Sequence, residues 1–259
     1  MKRNAIVRII IYSLLALVLT GVLVSNLLSE FIIDIGGGTE IAVDGWTQLP
    51  AAQFQNLQIN WAAGKVVVKT GQITDIMILE TSDDVIKRPL TFRHHNGTLE
   101  INHSSQKVIG PFFKAEEKTL EVTVPRKWIC QEMEIDGAGL EVTINGLNIH
   151  ELSVDGTGII LDINGSVNQL DMDGVGCEVS FSCIKPVQEI SLDGAGCVLD
   201  LTLPEGCGFQ LDTDGFGCDF SSDVATNYVD GAYIYGDGYC KISADGIGCD
   251  IAIYHKSAQ

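Results

Sequence analysis

Apolar and polar residues alternate along this chain in short runs. Leu152-Ser153-Val154, Leu170-Asp171-Met172 and Ile190-Ser191-Leu192 each lead into an Asp-Gly step, and Leu140-Glu141-Val142-Thr143-Ile144 and Cys177-Glu178-Val179-Ser180-Phe181 each follow one. Alternation with a period of two places successive side chains on opposite faces of a strand, with the apolar face buried. The step itself is Asp-Gly-x-Gly, with the pairs Gly137/Gly139, Gly156/Gly158, Gly174/Gly176, Gly194/Gly196, Gly215/Gly217 and Gly246/Gly248 following Asp136, Asp155, Asp173, Asp193, Asp214 and Asp245. The first five copies recur at intervals of 19, 18, 20 and 21 residues. That period predicts an all-β chain folded as a single-stranded parallel β-solenoid of the β-helix or β-roll type. Each repeat then reads strand, corner, strand and return turn, the return turns falling at Asn145-Gly146 and Asn164-Gly165. The corners of successive repeats are expected to stack on one another in chain order. One such turn cannot bury its apolar face alone, so stacking must supply the core.

The pattern extends upstream in a looser form. Leu57-Gln58-Ile59-Asn60-Trp61, Val66–Val68, Ile76–Ile78, Leu99–Ile101 and Leu120–Val124 read as short strands between Gly, Asp and Asn turns. They are expected to form the first, less regular turns of the same stack, giving one domain over 54–254 with the Asp-Gly-x-Gly repeats at 136–253 and a polar tail at 255–259. The interval from Asp214 to Asp245 is 31 residues. It contains an imperfect copy at Asp237-Gly238-Tyr239-Cys240, and Ser221–Asp230 reads as a loop or broader return turn.

Residues 9–28 break the alternation with 20 uncharged, mostly apolar residues. That length spans a hydrocarbon core of roughly 30 Å. Lys2, Arg3 and Arg8 precede it, and Glu30, Asp34, Glu40 and Asp44 follow. The expected arrangement is a single-pass helix with residues 1–8 in the cytoplasm, a stalk at 29–53 and the β domain outside the cell membrane. A cleaved signal peptide is the competing reading, although no Ala-x-Ala site follows the apolar run.

Charge sharpens the picture. The chain carries −18 overall. Residues 130–259 hold three Lys/Arg against 22 Asp/Glu, whereas residues 1–129 are nearly neutral. So acidic a repeat region repels phosphate backbones, which excludes nucleic acid as a partner, and attracts cations and basic partners.

Two columns of side chains could carry chemistry. Stacked turns lie about 4.8 Å apart, so like residues form ladders. Asp136, Asp155, Asp173, Asp193, Asp214 and Asp245 would make an acidic column. Each Asp could accept hydrogen bonds at its own corner, or the column could hold calcium, which takes several carboxylate and carbonyl oxygens. No other cofactor is expected. Cys177, Cys197, Cys218 and Cys249 share the position occupied by Leu140 and Ile159, which reads as an inward apolar site. Core thiols, disulfides between neighbouring turns and metal ligation are all open there, although no Cys-x-x-Cys favours zinc. The five histidines show no metal-binding spacing and read as solvated turn residues.

The chain also resembles a known family. The segments Asn56–Asn60, Ala63–Val68, Gly97–Ile101 and Leu120–Pro125, then the Gly-x-Gly repeats, Tyr235–Gly238, Lys241–Ser243 and Gly248–Ile253, are similar to the bacterial putative-adhesin family of membrane-anchored β-strand-repeat proteins. The resemblance covers about residues 54–254. It implies a β-solenoid at the cell surface with no catalytic residues. The function expected is therefore a non-enzymatic cell-envelope protein displaying its solenoid for binding or adhesion, with a wall polymer or envelope protein as partner. An accessory sensor in an envelope-stress system is the alternative, and would need a signalling partner because the cytoplasmic segment is so short. A solenoid-type enzyme acting on polysaccharide would need a carboxylate pair in a groove, and no motif marks one.

Overall fold

The computed structural model describes residues 39–40, 47–83, 86, 89–103 and 117–256. These all belong to the unit Thr39–Gln259. The sequence expectations for residues 1–8, for the anchor at 9–28 and for most of the stalk lie outside the described residues. Among the described residues no helix is long and apolar enough to cross a membrane. The only helical element there is the 3₁₀ turn Ala51–Gln53. That finding corrects the expected localisation, a single-pass anchor with an extracellular body.

Among the described residues, twenty strands form one mixed sheet. The purely parallel solenoid expected from the repeats is thus corrected: the central ladders are parallel, but antiparallel strands close them. Each Gly-x-Gly corner joins two strands into a rung, and two runs of strands result. The first run, in spatial order, is Thr98–Asn102, Asn56–Trp61, Ile129–Ala138, the second halves of Leu140–Thr157 and Ile160–Val175, Glu189–Ala195, Cys240–Ile247 and Phe209–Asp212. The second run is Lys118–Pro125, Gly64–Gly71, the first halves of Leu140–Thr157 and Ile160–Val175, Glu178–Cys183, Val198–Leu203, Asp250–His255 and Asp219–Ser222. Every pairing within these two runs is parallel.

Antiparallel strands sit at the ends. Thr91–His95 pairs with Thr98–Asn102, Ile76–Thr81 with Lys118–Pro125, and Ala232–Tyr235 with Phe209–Asp212. Thr39–Glu40, Thr47–Leu49 and Asn227–Val229 pair outside them. The segment read as a loop, 221–230, therefore contains a strand of the closing hairpin. An open end leaves a row of unpaired N–H and C=O groups; among the described residues antiparallel strands cover three of the four run ends, while Asp219–Ser222 pairs only with Asp250–His255.

Spatial order does not follow chain order at either end. Asn56–Trp61 lies between Thr98–Asn102 and Ile129–Ala138. Likewise the last rung, Cys240–Ile247 and Asp250–His255, lies inside the rung built from Phe209–Asp212 and Asp219–Ser222.

The interior is the apolar half of the alternation. Leu99, Leu57, Met133, Leu152, Leu170, Ile190, Ile242 and Leu211 form one buried row in the first run. Leu120, Val66, Val142, Leu161, Val179, Leu199 and Ile251 form the facing row in the second. All belong to one hydrophobic cluster. The expected return turn at Asn145-Gly146 is instead an irregularity inside one long strand, where the register slips between Asn145 and Asn148 and Gly146 takes φ 75°. Pairing with the neighbouring strand is interrupted at 146–147 and resumes at Asn148.

Candidate functional site

The corner dictates the rest of the site, and its two glycines serve different needs. A Cβ on the first would strike the rung beneath: at Gly174 it would lie 2.6 Å from the Gly156 carbonyl oxygen and 2.7 Å from Cys177 Sγ. The second glycine has open space but adopts a left-handed conformation, with φ 64° at Gly176 and 63° at Gly158. Gly196 and Gly217 do the same, at φ 65° and 72°. That conformation costs an L-residue about 1–2 kcal/mol. The N–H of this glycine closes the corner by donating to the next rung, as Gly158 N to Val175 O at 2.9 Å and Gly176 N to Ala195 O at 2.8 Å.

Stacking of the corners in chain order fails at Gly196 and Gly217, and the expectation is corrected there. Gly196 N donates to Ile247 O at 2.8 Å, so its neighbour is the Gly246/Gly248 corner and not the Gly215/Gly217 corner that follows it in the chain. The Gly217 corner lies one rung further out, where the Phe216 carbonyl accepts from Gly248 N at 2.9 Å. The physical reason is the inserted last rung, which fills the position next to Gly196 and displaces Gly217 to the end of the stack.

The aspartates stand in file on the outward side of the first run. Asp136 pairs with Asp155, Asp155 with Asp173, Asp173 with Asp193 and Asp193 with Asp245. Asp214 falls opposite Asp245, between the Asp212–Ser243 pair and the Phe216–Ile247 bridge. Two further outward rows run alongside. One carries Glu134, Ser153, Asp171, Ser191, Ser243 and Asp212, and the other Glu132, Glu151, Gln169, Glu189, Lys241 and Gln210. Lys241 is the one cation in these rows, and its Nζ donates to Gln210 Oε1 at 2.6 Å.

The carboxylates of the file are not what closes the corners. Among the described residues their one side-chain hydrogen bond is from Ser243 Oγ to Asp245 Oδ2, at 3.4 Å. Charge therefore accumulates without compensation, and it shows in the acidities. Partial burial first, then Glu134 and Asp155, push the Asp136 carboxyl up to about 6. Asp155 is raised by burial and by Asp173 and Asp171, and Asp193 by burial and by Asp245 and Asp173. Glu134, raised by burial and Asp155, joins the file at one point. Carboxylate oxygens of Glu134, Asp136 and Asp155 lie within 4.8 Å of one another, the one group among the described residues close enough to share an ion. Calcium takes six to eight oxygens, so these three would supply part of a shell. Glu134 was not among the sequence candidates. Its signal was its place two residues before Asp136, on the same outward face.

Beside the file, an open groove of about 220 Å³ is lined by Glu189, Gln210, Asp212, Asp214, Lys241 and Asp245. The x residues of the motif make the adjoining ridge. Phe216 is 83% exposed and Ile247 53%, next to one another.

The thiols lie on the inner side of the corner. Register carries Cys177 next to Cys197, Cys197 next to Cys249 and Cys249 next to Cys218, as the bonds Val198 N to Cys177 O, Asp250 N to Cys197 O and Asp219 N to Cys249 O record. All eight cysteines are free. Cys197 Sγ lies 3.5 Å from the Gly174 carbonyl and Cys218 Sγ 3.8 Å from that of Gly246. Burial pushes the Cys130 and Cys183 thiols up to about 12.

The histidines do not converge. His94 packs edge-on to Phe54 and His103 to Trp61. His255, expected as a solvated residue, is instead held between Asp223 Oδ1 at 3.1 Å and the Cys207 carbonyl at 2.9 Å. A further feature went unread in the sequence: Lys118 Nζ and Glu80 Oε1 form an ion pair at 3.0 Å with neither side chain exposed. Glu80 also accepts from Leu90 N at 2.9 Å. It shares the inward face of its strand with Ile76 and Ile78, which was the available signal.

No family model matches the chain, and no curated protein matches it. Solved structures that align with part of it include the following three. A structure described as a putative cell adhesion protein from Clostridium sporogenes is 14% identical, covers 82% of this chain and 98% of its own, and gives a TM-score of 0.49. A putative adhesin from Bacteroides fragilis is 12% identical over 82% of this chain and 96% of its own, with a TM-score of 0.35. A putative lipid binding protein from Parabacteroides distasonis is 12% identical over 81% of this chain and 96% of its own, with a TM-score of 0.34.

Proposed function

We propose that this chain is a non-enzymatic binding protein whose aspartate-bearing face recognises a polyvalent cationic partner. The observation that carries the reading is the file of six carboxylates, on a face whose rows hold one cation, Lys241, bonded to Gln210. Self-repulsion of this kind weakens a fold unless something outside the chain relieves it. Two unit charges about 5 Å apart in water repel by roughly 0.8 kcal/mol, and the file repeats that penalty at every step. A rigid, regularly spaced row of charge suits a partner with repeated cationic groups, such as a basic polypeptide or an amine-bearing polymer. The flanking Phe216–Ile247 ridge would add apolar contact at one end. Calcium at Glu134, Asp136 and Asp155 would compete for the same charge.

The test is binding of poly-L-lysine to the immobilised chain across a salt series. Affinity is expected to fall steeply between about 50 and about 200 mM salt, as it does for any association built on many exposed ion pairs. Replacing Asp155, Asp173 and Asp193 by Asn should lower it at least tenfold at low salt. Unchanged affinity in that variant would remove the reading. Competition by millimolar calcium but not by magnesium would show that the divalent ion is the preferred occupant.

A further inference from the structure

The thiol file ends at the one corner cysteine that solvent can reach. Cys177, Cys197 and Cys249 are each 1–2% exposed, whereas Cys218 is half-buried. Cys218 occupies the last rung of the file, so Cys249 is its sole thiol neighbour there. Asp219 N donates to Cys249 O at 2.8 Å, which holds the two cysteines side by side on adjacent strands. In-register positions on adjacent parallel strands place their Cα atoms about 4.8 Å apart, inside the window of about 4.4–6.8 Å that a disulfide spans.

We infer that Cys218 and Cys249 form a thiol-oxidation site that reacts with small disulfides and closes into a bond between the last two rungs. The Cys218 thiolate attacks one sulfur of a disulfide R–S–S–R and releases one R–SH. The Cys249 thiolate then attacks Cys218 Sγ in the mixed disulfide and releases the second. The two protons given up by the protein leave on the two released thiols, so two protein thiols are oxidised and one small disulfide is reduced. The periodicity of the sequence points to a different pair. Cys197 and Cys218 are successive in the repeat, but Cys249 stands between them. The bond would fasten the chain's final strands, Cys240–Ile247 and Asp250–His255, to the rung outside them.

This inference is independent of the cationic partner. The full chain, purified with reductant, is transferred to oxidised glutathione under native conditions, alkylated and mapped by peptide mass spectrometry. A Cys218–Cys249 peptide should dominate, with Cys177 and Cys197 alkylated only after denaturation. Cys249→Ala should accumulate glutathione on Cys218, and Cys218→Ala should leave Cys249 unreacted. The oxidised protein should melt about 5–10 °C higher than the reduced one, reversibly with dithiothreitol, for a loop of this length. A Cys197–Cys218 bond, a Cys218 that keeps glutathione in the unaltered chain, or a Cys218 that does not react would each overturn it.

Discussion

Asp193 pairs with Asp245, not with Asp214, the next copy of the motif along the chain. The final rung has slipped inside its predecessor. This one pairing explains why the interval after Asp214 is long. The chain must leave the outer rung, build the closing hairpin Asn227–Val229 and Ala232–Tyr235, and return to the gap.

A terminal rung in this position should behave as core. Ile251 is fully buried between Leu199 and Phe220. Ile251→Ala is expected to cost about 2–5 kcal/mol, as interior aliphatic truncations do. Phe220→Ala, in the half-buried outer rung, should cost less. Chemical denaturation of both variants measures the difference, and the reverse ranking would mean that the final rung is the outermost.

The two glycines of a corner should fail differently. Gly176→Ala has space for its methyl and only the left-handed backbone against it, so a loss of about 1–2 kcal/mol is expected. Gly174→Ala drives a methyl into the Gly156 carbonyl and Cys177. Overpacking typically costs about 1–3 kcal/mol, and the loss is expected at the upper end of that range because backbone must shift. Equal losses in thermal melts would show that stacking distance does not set the requirement.

Acid should relieve the file. The folded chain holds the Asp136 proton up to about pH 6, well above the ordinary value of 3.8. Between those values the native state binds more protons than the unfolded one, so this group's contribution to stability falls as pH rises through the window. Asp136→Asn removes the effect. It should raise the melting temperature at pH 7 and leave it nearly unchanged at pH 4. The carboxyl is only half-buried and is screened, so the gain is held to about 1 kcal/mol. A lower melting temperature at pH 7 would show instead that the carboxylate is a structural ligand.

The Lys118–Glu80 pair offers a test away from the file. Glu80→Ala leaves a buried ammonium and the Leu90 N–H without this acceptor, and should cost about 3–5 kcal/mol. Replacing both members with Met and Leu should recover most of that loss. A surface-like effect below about 1 kcal/mol would place the pair in water.

Much of the site could be read in advance because it repeats. Spacings of 19, 18 and 20 residues suggested equivalent corners for Asp136, Asp155, Asp173 and Asp193, which register pairs in that order, and the exchange of Cys177 and Cys197 with Leu140 and Ile159 suggested an inward position. Among the corners, spacing misled where a rung was inserted, between those of Gly196 and Gly217. Glu134, Glu80 and the pinned His255 were harder to see. Each depends on a partner from a distant segment, and no local pattern names that partner.

Alternation by itself decided that these segments are strands, which face of each is apolar, and where glycine must turn the corner, because those are properties of a few adjacent residues and their sterics. It could not decide which rung lies on which. Parallel strands bind one another through backbone groups that every residue shares, and rungs with the same inward Leu, Ile and Cys accept any neighbour almost equally well. Only the packed structure, by burying the last strands between two neighbouring rungs, selects the order.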